Sequence, residues 1–517
     1  MTWQPEVDEL RRREGFAKKM GGEASVDRHH SKGKLTVRER IDKLLDEGTF
    51  HENGALGGKA EYDEDGQLTE FLPANYVFGT GRIQGRKTVV GGDDFTVRGG
   101  AADASITEKI IYAERMAHDL RIPIVRLVDG TGGGGSVKHL EDLGHTYIPV
   151  NPAWNYITDN LSCVPVVAAC MGSVAGYGAA KVVASHFSIM VNEGCLFTAG
   201  PPVVKSGIGE DITKEELGGV KVHKSSGAID NIASSEEDAF LQIRKFLSYL
   251  PQNVWQLPPV QSSNDDPNRR DEQLISVIPR NRRKVYSSRS ILKMIFDIDS
   301  VFEIGRYFGG GCITAFARLD GYPVGVLASD PYVMGGAMTS ESAEKMWRFV
   351  DLCQTFHLPI ANLIDQPGIA IGLGAEKKGT IRKAARAICA IYQTTVPTLE
   401  IIMRKVFGVG GAGSVPAHSI NLRYAWPSGD WGSLPTEGGI QAAYRRDIES
   451  SDDPERRLKE ITNKLESIRS PFRTAEVYGV EEIIDPRDTR PLMCDWIHDA
   501  YEILPSQLGR SFHGMRP

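Results

Sequence analysis

The sequence predicts two tandem α/β domains of one fold, each built on a largely parallel sheet. Residues 82–130 realign on residues 318–366 at a constant offset of 236, with 14 of 49 positions identical, where average residue usage gives about three. A second block repeats as well. Val164, Pro165, Met171, Val174, Gly176 and Gly178 return as Val396, Pro397, Met403, Val406, Gly408 and Gly410 at an offset of 232, so the first half carries four extra residues between the blocks. In both halves a short apolar run ending in aspartate, Val125–Asp129 and Ala361–Asp365, follows a helical run, 106–120 and 342–356. That alternation marks βα units. The repeated unit is far longer than the roughly 20–50 residues of a solenoid period.

The elements follow in order. Residues 1–50 read as N-terminal helices, the second opening at Thr36, where Glu39 completes a capping box and Gly48 closes the run. Residues 51–255 form the first domain. Residues 256–285 open on QLPPVQSSNDDPNRRDE, with almost nothing to bury, and are expected as a linker. Residues 286–517 form the second domain, with a long amphipathic helix over 452–475 ended by Pro471. Either half is large enough for its own core. The apolar stretch 164–191 is interrupted by Gly172, Gly176, Gly178, Lys181 and His186, which fits a buried strand, turn and helix better than a membrane span.

Composition mostly excludes. Lys and Arg number 60 against 67 Asp and Glu, a net of −7, and no basic stripe points to nucleic acid. Seven cysteines form no CxxC pair, so neither a metal centre nor a disulfide framework is expected, and reduced thiols in the cytoplasm are. The N-terminus mixes Glu6, Asp8 and Glu9 with its bases and no apolar run follows, unlike a signal or transit peptide.

The chemistry has to come from glycine. The run Gly132–Gly135 after Asp129, and Gly176-Tyr177-Gly178 ahead of the helical run 179–185, let backbone approach a ligand, and free amides at a helix start attract anionic oxygen. No GKS or GKT is present, and no GxGxxG follows a strand with an acid about 20 residues on. Ser173 in MGSVAG breaks the GxSxG elbow because Ala175 stands two residues on. His223 in HKSSG has no persuasive Ser or Asp partner. Asp129 and Asp365 could act as bases, but matched strand ends in a duplication more often serve structure.

With these residues in place the chain resembles the carboxyltransferase β subunits of biotin-dependent acyl-CoA carboxylases, a duplication of the crotonase fold, from about residue 10 to 500. The resemblance rests on GKLTVRERIDKLLDEGTF ending at Phe50, DFTVRGG ending at Gly100, AGPPVVKSGIGEDITKEELGG ending at Gly219, Asp365–Gly368, Arg404–Gly408 and IDPRDTR ending at Arg490. The AGPPVVK stretch and FGVG after Arg404-Lys405 lean toward the methylcrotonyl- and geranyl-CoA branch. The family implies transfer of a carboxyl group from carboxybiotin to an acyl-CoA through a thioester enolate held by backbone amides. It implies an enolate hole at Gly176 and Tyr177 and a biotin hole at Val409 and Gly410. Acyl-CoA would further touch Gly99, Gly100, Ala101, Gly132, Gly133, Gly134 and Gly178, and biotin would touch Gly368, Ile369, Phe407 and Gly408.

No AMKM-like biotinylation sequence or ATP-grasp loop is present. Biotin is therefore expected on a biotin carboxylase and biotin carboxyl carrier subunit, with this chain as a homohexamer that binds no metal, nucleic acid or membrane. The loop after Asp129 reads GTGGGGSV where propionyl-type relatives carry SGGAR, and Ala412 and Gly413 fall where short-chain relatives present an acid, which permits a bulkier acyl group. Three alternatives stay open. A biotin-dependent decarboxylase subunit would run the same chemistry backwards, a crotonase-type hydratase or isomerase would use one hole and a carboxylate base, and a CoA-binding scaffold would need neither hole.

Overall fold

The structure is a computed structural model that describes residues 2–100, 104–130, 140–141, 144–148, 150–416 and 422–512. The chain divides into two compact units, Met1–Gln256 with Gly509–Pro517, and Leu257–Leu508.

The first unit opens on helices Gln4–Lys18, Glu23–His30 and Val37–Leu44. The helix expected at Thr36 is thus the third, because Gly22 at φ +87 breaks the run before it. Its capping box is formed: Thr36 Oγ1 accepts from Glu39 N at 3.3 Å and Glu39 Oε2 accepts from Thr36 N at 2.7 Å. The strands are β1 (His51–Asn53), β2 (Gly58–Tyr62), β3 (Leu68–Pro73), β4 (Tyr76–Ile83), β5 (Arg86–Asp93), β6 (Ile124–Val128), β7 (Val166–Cys170), β8 (Ser173–Ala175), β9 (Phe187–Val191), β10 (Cys195–Phe197) and β11 (Asn231–Ala233). Among the described residues they build a seven-stranded sheet in the order β1-β4-β5-β6-β7-β9-β11, parallel from β5 onward, with small β2–β3 and β8–β10 pairs beside it. Every residue of β6, β7 and β9 is buried. Runs such as VVAAC and FSIMV suit strands covered on both faces.

The second unit repeats this plan with β12 (Phe302–Ile304), β13 (Cys312–Leu319), β14 (Tyr322–Ser329), β15 (Ile360–Gln366), β16 (Thr398–Phe407), β17 (Leu422–Ala425), β18 (Asp430–Gly432) and β19 (Glu482–Ile483). Its sheet runs β12-β13-β14-β15-β16-β17-β19, position for position the order of the first, and β18 adds to the far end of β16.

The duplication reaches further back than the sequence blocks. The pair Arg38–Glu52 (2.7 Å) returns as Arg289–Glu303 (2.6 Å), and Asp46, which accepts from Gln84 N and Gly85 N, returns as Asp297, which accepts from Asp320 N and Gly321 N. Arg38, Asp46 and Glu52 match at an offset of 251, and the offset falls to 236, as for Gln84 and Gly85, across the β2–β3 hairpin, where the second unit passes directly from β12 to β13.

Two expectations change. Residues 257–285, expected as a linker, lie within the second unit. Hydrogen bonds order them in place of apolar burial: Gln261 N donates to Gly321 O at 3.1 Å, and Arg269 binds Asp265 together with the carbonyls of Met294 and Phe296. The long helix expected over 452–475 is two, Pro454–Ile468 and Pro471–Glu476. Pro471 starts the second instead of merely ending the first, since a missing N–H costs nothing at a first helical position. No helix among the described residues is long and apolar enough to cross a membrane.

Candidate active site

Two turns stand at the carboxyl ends of strands in each unit. The first follows β5 and β14. Arg98, Gly99 and Gly100 have φ of +52, +64 and +68, and Met334, Gly335 and Gly336 have +51, +65 and +85. Three successive left-handed residues are unusual, and for Arg98 and Met334 the conformation costs about 1–2 kcal/mol each. Their bonding also repeats: Gly100 N donates to Val97 O at 3.1 Å and Gly336 N to Val333 O at 2.9 Å. A Cβ on Gly130 would lie 2.8 Å from Gly99 O, and one on Gly336 would overlap Asp365 O, so each turn is pressed onto the end of β6 or β15.

The second turn follows β8 and β16. Gly176 has φ +59 and Gly408 has φ +61, and a short helix starts at each, Tyr177–Val183 and Gly408–Ala412. The first amides of a helix have no carbonyl one turn back to receive them. The Gly176 amide is already engaged, donating to Phe197 O at 3.2 Å. The register of the repeat therefore pairs Val409 and Gly410 with Tyr177 and Gly178, one residue on from the pair Gly176 and Tyr177 expected from the sequence.

In the second unit the expected residues converge. A Cβ on Gly410 would sit 2.5 Å from Gln366 Oε1 and 3.3 Å from the Gly368 carbonyl carbon, and one on Gly368 would sit 3.3 Å from Phe407 O. Met338 N donates to Gly368 O, and Ile369 bridges Met338. Gly408, Val409, Gly411 and Ala412 line an open groove of about 1360 Å³ that Trp431, Tyr478 and Arg423 also wall. In the first unit Gly99, Gly100, Gly176, Tyr177 and Gly178 stand at the carboxyl ends of β5 and β8, whereas Ala101, Gly132, Gly133 and Gly134 lie outside the described residues. Trp154 packs edge-on against Tyr177 at 6.0 Å, and burial pushes the Tyr177 hydroxyl up to about 12.

Charged groups beneath the turns serve packing. Asp129 is buried and bonded to Arg40 at 2.9 Å, and Arg40 also binds Glu236 at 2.7 Å. Asp365 is buried under Arg404 (2.8 Å), Tyr286 (2.9 Å) and the Lys405 amide (3.0 Å). Neither carboxylate faces solvent as a base. Ser173 lies in β8 opposite Cys195, and His223 is spent on Leu196 O (2.6 Å) and Ser226 (3.1 Å). One buried pair was missed from the sequence. Asp93 accepts from Asp129 N at 3.1 Å, and burial drives its carboxyl up to about 6 against the pull of Lys181, itself buried over the Tyr76 ring at 5.2 Å. The 236 offset sets Asp93 opposite Ser329 and the 232 offset sets Lys181 opposite Gly413. That divergence was the available signal.

The two halves repeat one α/β plan, with left-handed turns at matched strand ends. Residues 28–501 match the family described as "Carboxyl transferase domain". The chain is 34% identical over 498 residues, 95% of each chain, to a propionyl-CoA carboxylase carboxyltransferase subunit of Haloferax mediterranei. It is 32% identical over 495 residues to the methylmalonyl-CoA decarboxylase subunit alpha of Veillonella parvula, covering 95% of this chain and 94% of that one. It matches a crystal structure of the hexameric transcarboxylase 12S at a TM-score of 0.85 and 28% identity, over 100% of this chain and 98% of the other. The chain belongs to the carboxyl transferase domain family and is an acyl-CoA carboxyltransferase. These relatives bear propionyl- and methylmalonyl-CoA names, so the lean toward the methylcrotonyl and geranyl branch narrows to the family itself.

Proposed function

We propose that this chain moves a carboxyl group between biotin on a partner subunit and an acyl-CoA, using two sets of backbone donors. The matched left-handed turns at Gly176 and Gly408 carry the reading. The amides of Tyr177 and Gly178 hold the thioester oxygen as the acyl-CoA loses its α-proton, and Gly176 contributes the turn that frees them. The amides of Val409 and Gly410 hold the ureido oxygen, with Gly368, Ile369, Phe407 and Gly408 forming the floor. Gly99 and Gly100 bring backbone against the acyl-CoA in the first unit. Biotin, when bound, supplies the carboxyl group and a nitrogen that takes the proton. The groove beside Val409 has the room and the apolar walls for its bicyclic ring. A preorganised donor on a developing oxyanion contributes on the order of 10²–10³ in rate, which removes the need for a catalytic carboxylate.

Assembly as a hexamer, with a biotin carboxylase and carrier subunit as partner in a reducing compartment, fits the transcarboxylase likeness and the unpaired cysteines. Ala412 lines the groove and leaves it without an acid at that point, which favours an acyl group bulkier than propionyl, as in the methylcrotonyl and geranyl branch. The likeness to a decarboxylase subunit supports the reverse direction as a second reading. The test is exchange of carboxyl between free biotin and a panel of acyl-CoAs by the chain alone. Turnover without ATP, rising with acyl size beyond propionyl, is expected. Turnover that requires ATP and bicarbonate would refute the site, and a preference for propionyl-CoA would refute the acyl assignment.

A further inference from the structure

Three metal-ligating side chains meet in the first unit. His118 lies in the last turn of the helix Thr107–Leu120, Asp159 in the last turn of Ala153–Asn160, and Cys163 three residues beyond that helix. His118 Nε2 is 2.6 Å from Asp159 Oδ2, and the imidazole nitrogen, carboxylate oxygen and thiol sulfur all lie within 4.8 Å of one another. A tetrahedral centre with bonds of about 2.0–2.3 Å sets its ligands about 3.5 Å apart. Small side-chain shifts close the difference.

Two observations show that the place is built for a cation. His118 Nδ1 faces Asp119 Oδ1 at 2.8 Å, and Tyr156 packs edge-on against the ring at 5.8 Å. A carboxylate on the far nitrogen orients the ring, so that Nε2 can ligate a metal once the proton it shares with Asp159 leaves. The second is that a cation already stands there. The Arg510 guanidinium donates to both Asp159 oxygens at 2.9 and 2.8 Å and comes within 3.5 Å of His118 Nε2, so one charge already faces two of the three donors.

We propose that His118, Asp159 and Cys163 bind one divalent ion of the Zn²⁺ class, and that Arg510 is the cation it displaces. Nitrogen, sulfur and oxygen donors together select such an ion over Mg²⁺ or Ca²⁺. The Arg510–Asp159 pair is 44% and 40% exposed, and pairs of that exposure hold weakly, whereas a thiolate-containing metal site binds tightly. On binding, the thiol and the Nε2–H of His118 each give up a proton to solvent, metal–sulfur and metal–nitrogen bonds form, and the guanidinium leaves with its charge intact. One coordination position stays open to water. The ion would tie two helix ends together and release the chain end after Gly509. The cysteine spacing in the sequence hides this site because its donors come from separate helices and only one is a cysteine.

Co²⁺ titrated into the full-length chain tests it by absorption. One ion per chain should give a near-ultraviolet thiolate band and visible tetrahedral bands, release the thiol and imidazole protons and be displaced by Zn²⁺. Cys163→Ser should abolish the thiolate band, Cys389→Ser should leave it, and Asp119→Asn should weaken binding by about tenfold. His118→Gln, at a part-exposed position, gives a second probe should Cys163→Ser fail to fold, and it should also abolish binding. Arg510→Gln should tighten binding at least threefold. No band, a band that survives Cys163→Ser or His118→Gln, or weaker binding by Arg510→Gln would overturn the site.

Discussion

Asp129 and Asp365 occupy the same point of the two units and are neutralised from opposite sides. In the first unit the cation is Arg40, from the helix Val37–Leu44, whose match at offset 251 is the apolar Ile291. In the second it is Arg404, from β16, whose match at offset 232 is Gly172. Gly172 has to be small, because a Cβ there would overlap Asp129 Oδ1. The interiors diverge in the same manner. Tyr76 fills the first unit over Gly91, where Cys312 and Leu327 line a cavity of about 20 Å³ in the second. The buried pair Glu114–Arg126 stands where Val350 and Asn362 do. What stays constant is the backbone: the left-handed residues Arg98 and Met334, Gly99 and Gly335, and Gly176 and Gly408 agree within a few degrees. The geometry of the amides is kept while the charges beneath are exchanged, as expected if the amides carry the chemistry.

The largest way to break that comparison is to remove the cations. Loss of one partner from a buried ion pair costs about 3–5 kcal/mol because the other charge stays buried. Arg40→Met strands Glu236 and leaves Asp129 only Lys34 at 3.7 Å, whereas Arg404→Met leaves Asp365 with Lys405 at 3.7 Å and its bonds to Tyr286 and the Lys405 amide. Urea unfolding should therefore show Arg40→Met as the costlier change. Equal costs, or costs under about 1 kcal/mol, would mean that these carboxylates are not held as charged pairs.

The turns come next. Gly176→Ala and Gly408→Ala should each fold, at about 1–2 kcal/mol of left-handed strain, and each should lose at least about 10² in turnover for one misplaced donor. The losses should differ in kind. The Gly176 variant should still release CO₂ slowly from carboxybiotin, and the Gly408 variant should still bind acyl-CoA normally by calorimetry. The reverse pattern would exchange the roles of the two units. Gly410→Val is a poorer probe, because its side chain collides with Gln366 before any amide moves.

The repeat made the fold legible, since 14 identities in 49 positions locate β5 to β6 and β14 to β15 together. The strand ends at Asp129 and Asp365 were legible for the same reason. The helix at Thr36 was readable as a capped helix but not as half of a repeated pair. Its counterpart at Ser287 shares few residues and sits at another offset, across the β2–β3 hairpin. Arg40 was illegible because its partner is 89 residues away and its match is Ile291. The bond from the Gly176 amide to Phe197 O was not legible either, because its partner is 21 residues away, and it is this bond that moves the proposed enolate hole to Tyr177 and Gly178.

The smallest effect is a matter of pH, and it turns on one buried acid of the first unit that the second lacks. Asp93 is fully buried with its carboxyl raised from 3.8 to about 6. A carboxyl with a folded pKa above its unfolded value holds its proton more tightly in the folded chain, so the folded state binds the extra proton between about 4 and 6. Its contribution to stability is complete below about 4, falls as pH rises toward 6, and stays lost above that, by about 3 kcal/mol at about 1.4 per pKa unit. Ser329 and Gly413, the matches of Asp93 and Lys181, carry no such linkage. The double variant Asp93→Asn/Lys181→Met, which removes both charges and strands neither, should gain on the parent chain by about 2–3 kcal/mol between pH 4 and pH 7. The acids that gain stability with pH, Glu9 and Glu341 among them, are common to both chains and cancel in the difference. Parallel urea-unfolding stabilities across that range would show that Asp93 stays ionised throughout, held by Lys181, and that the two interiors differ in shape but not in proton linkage.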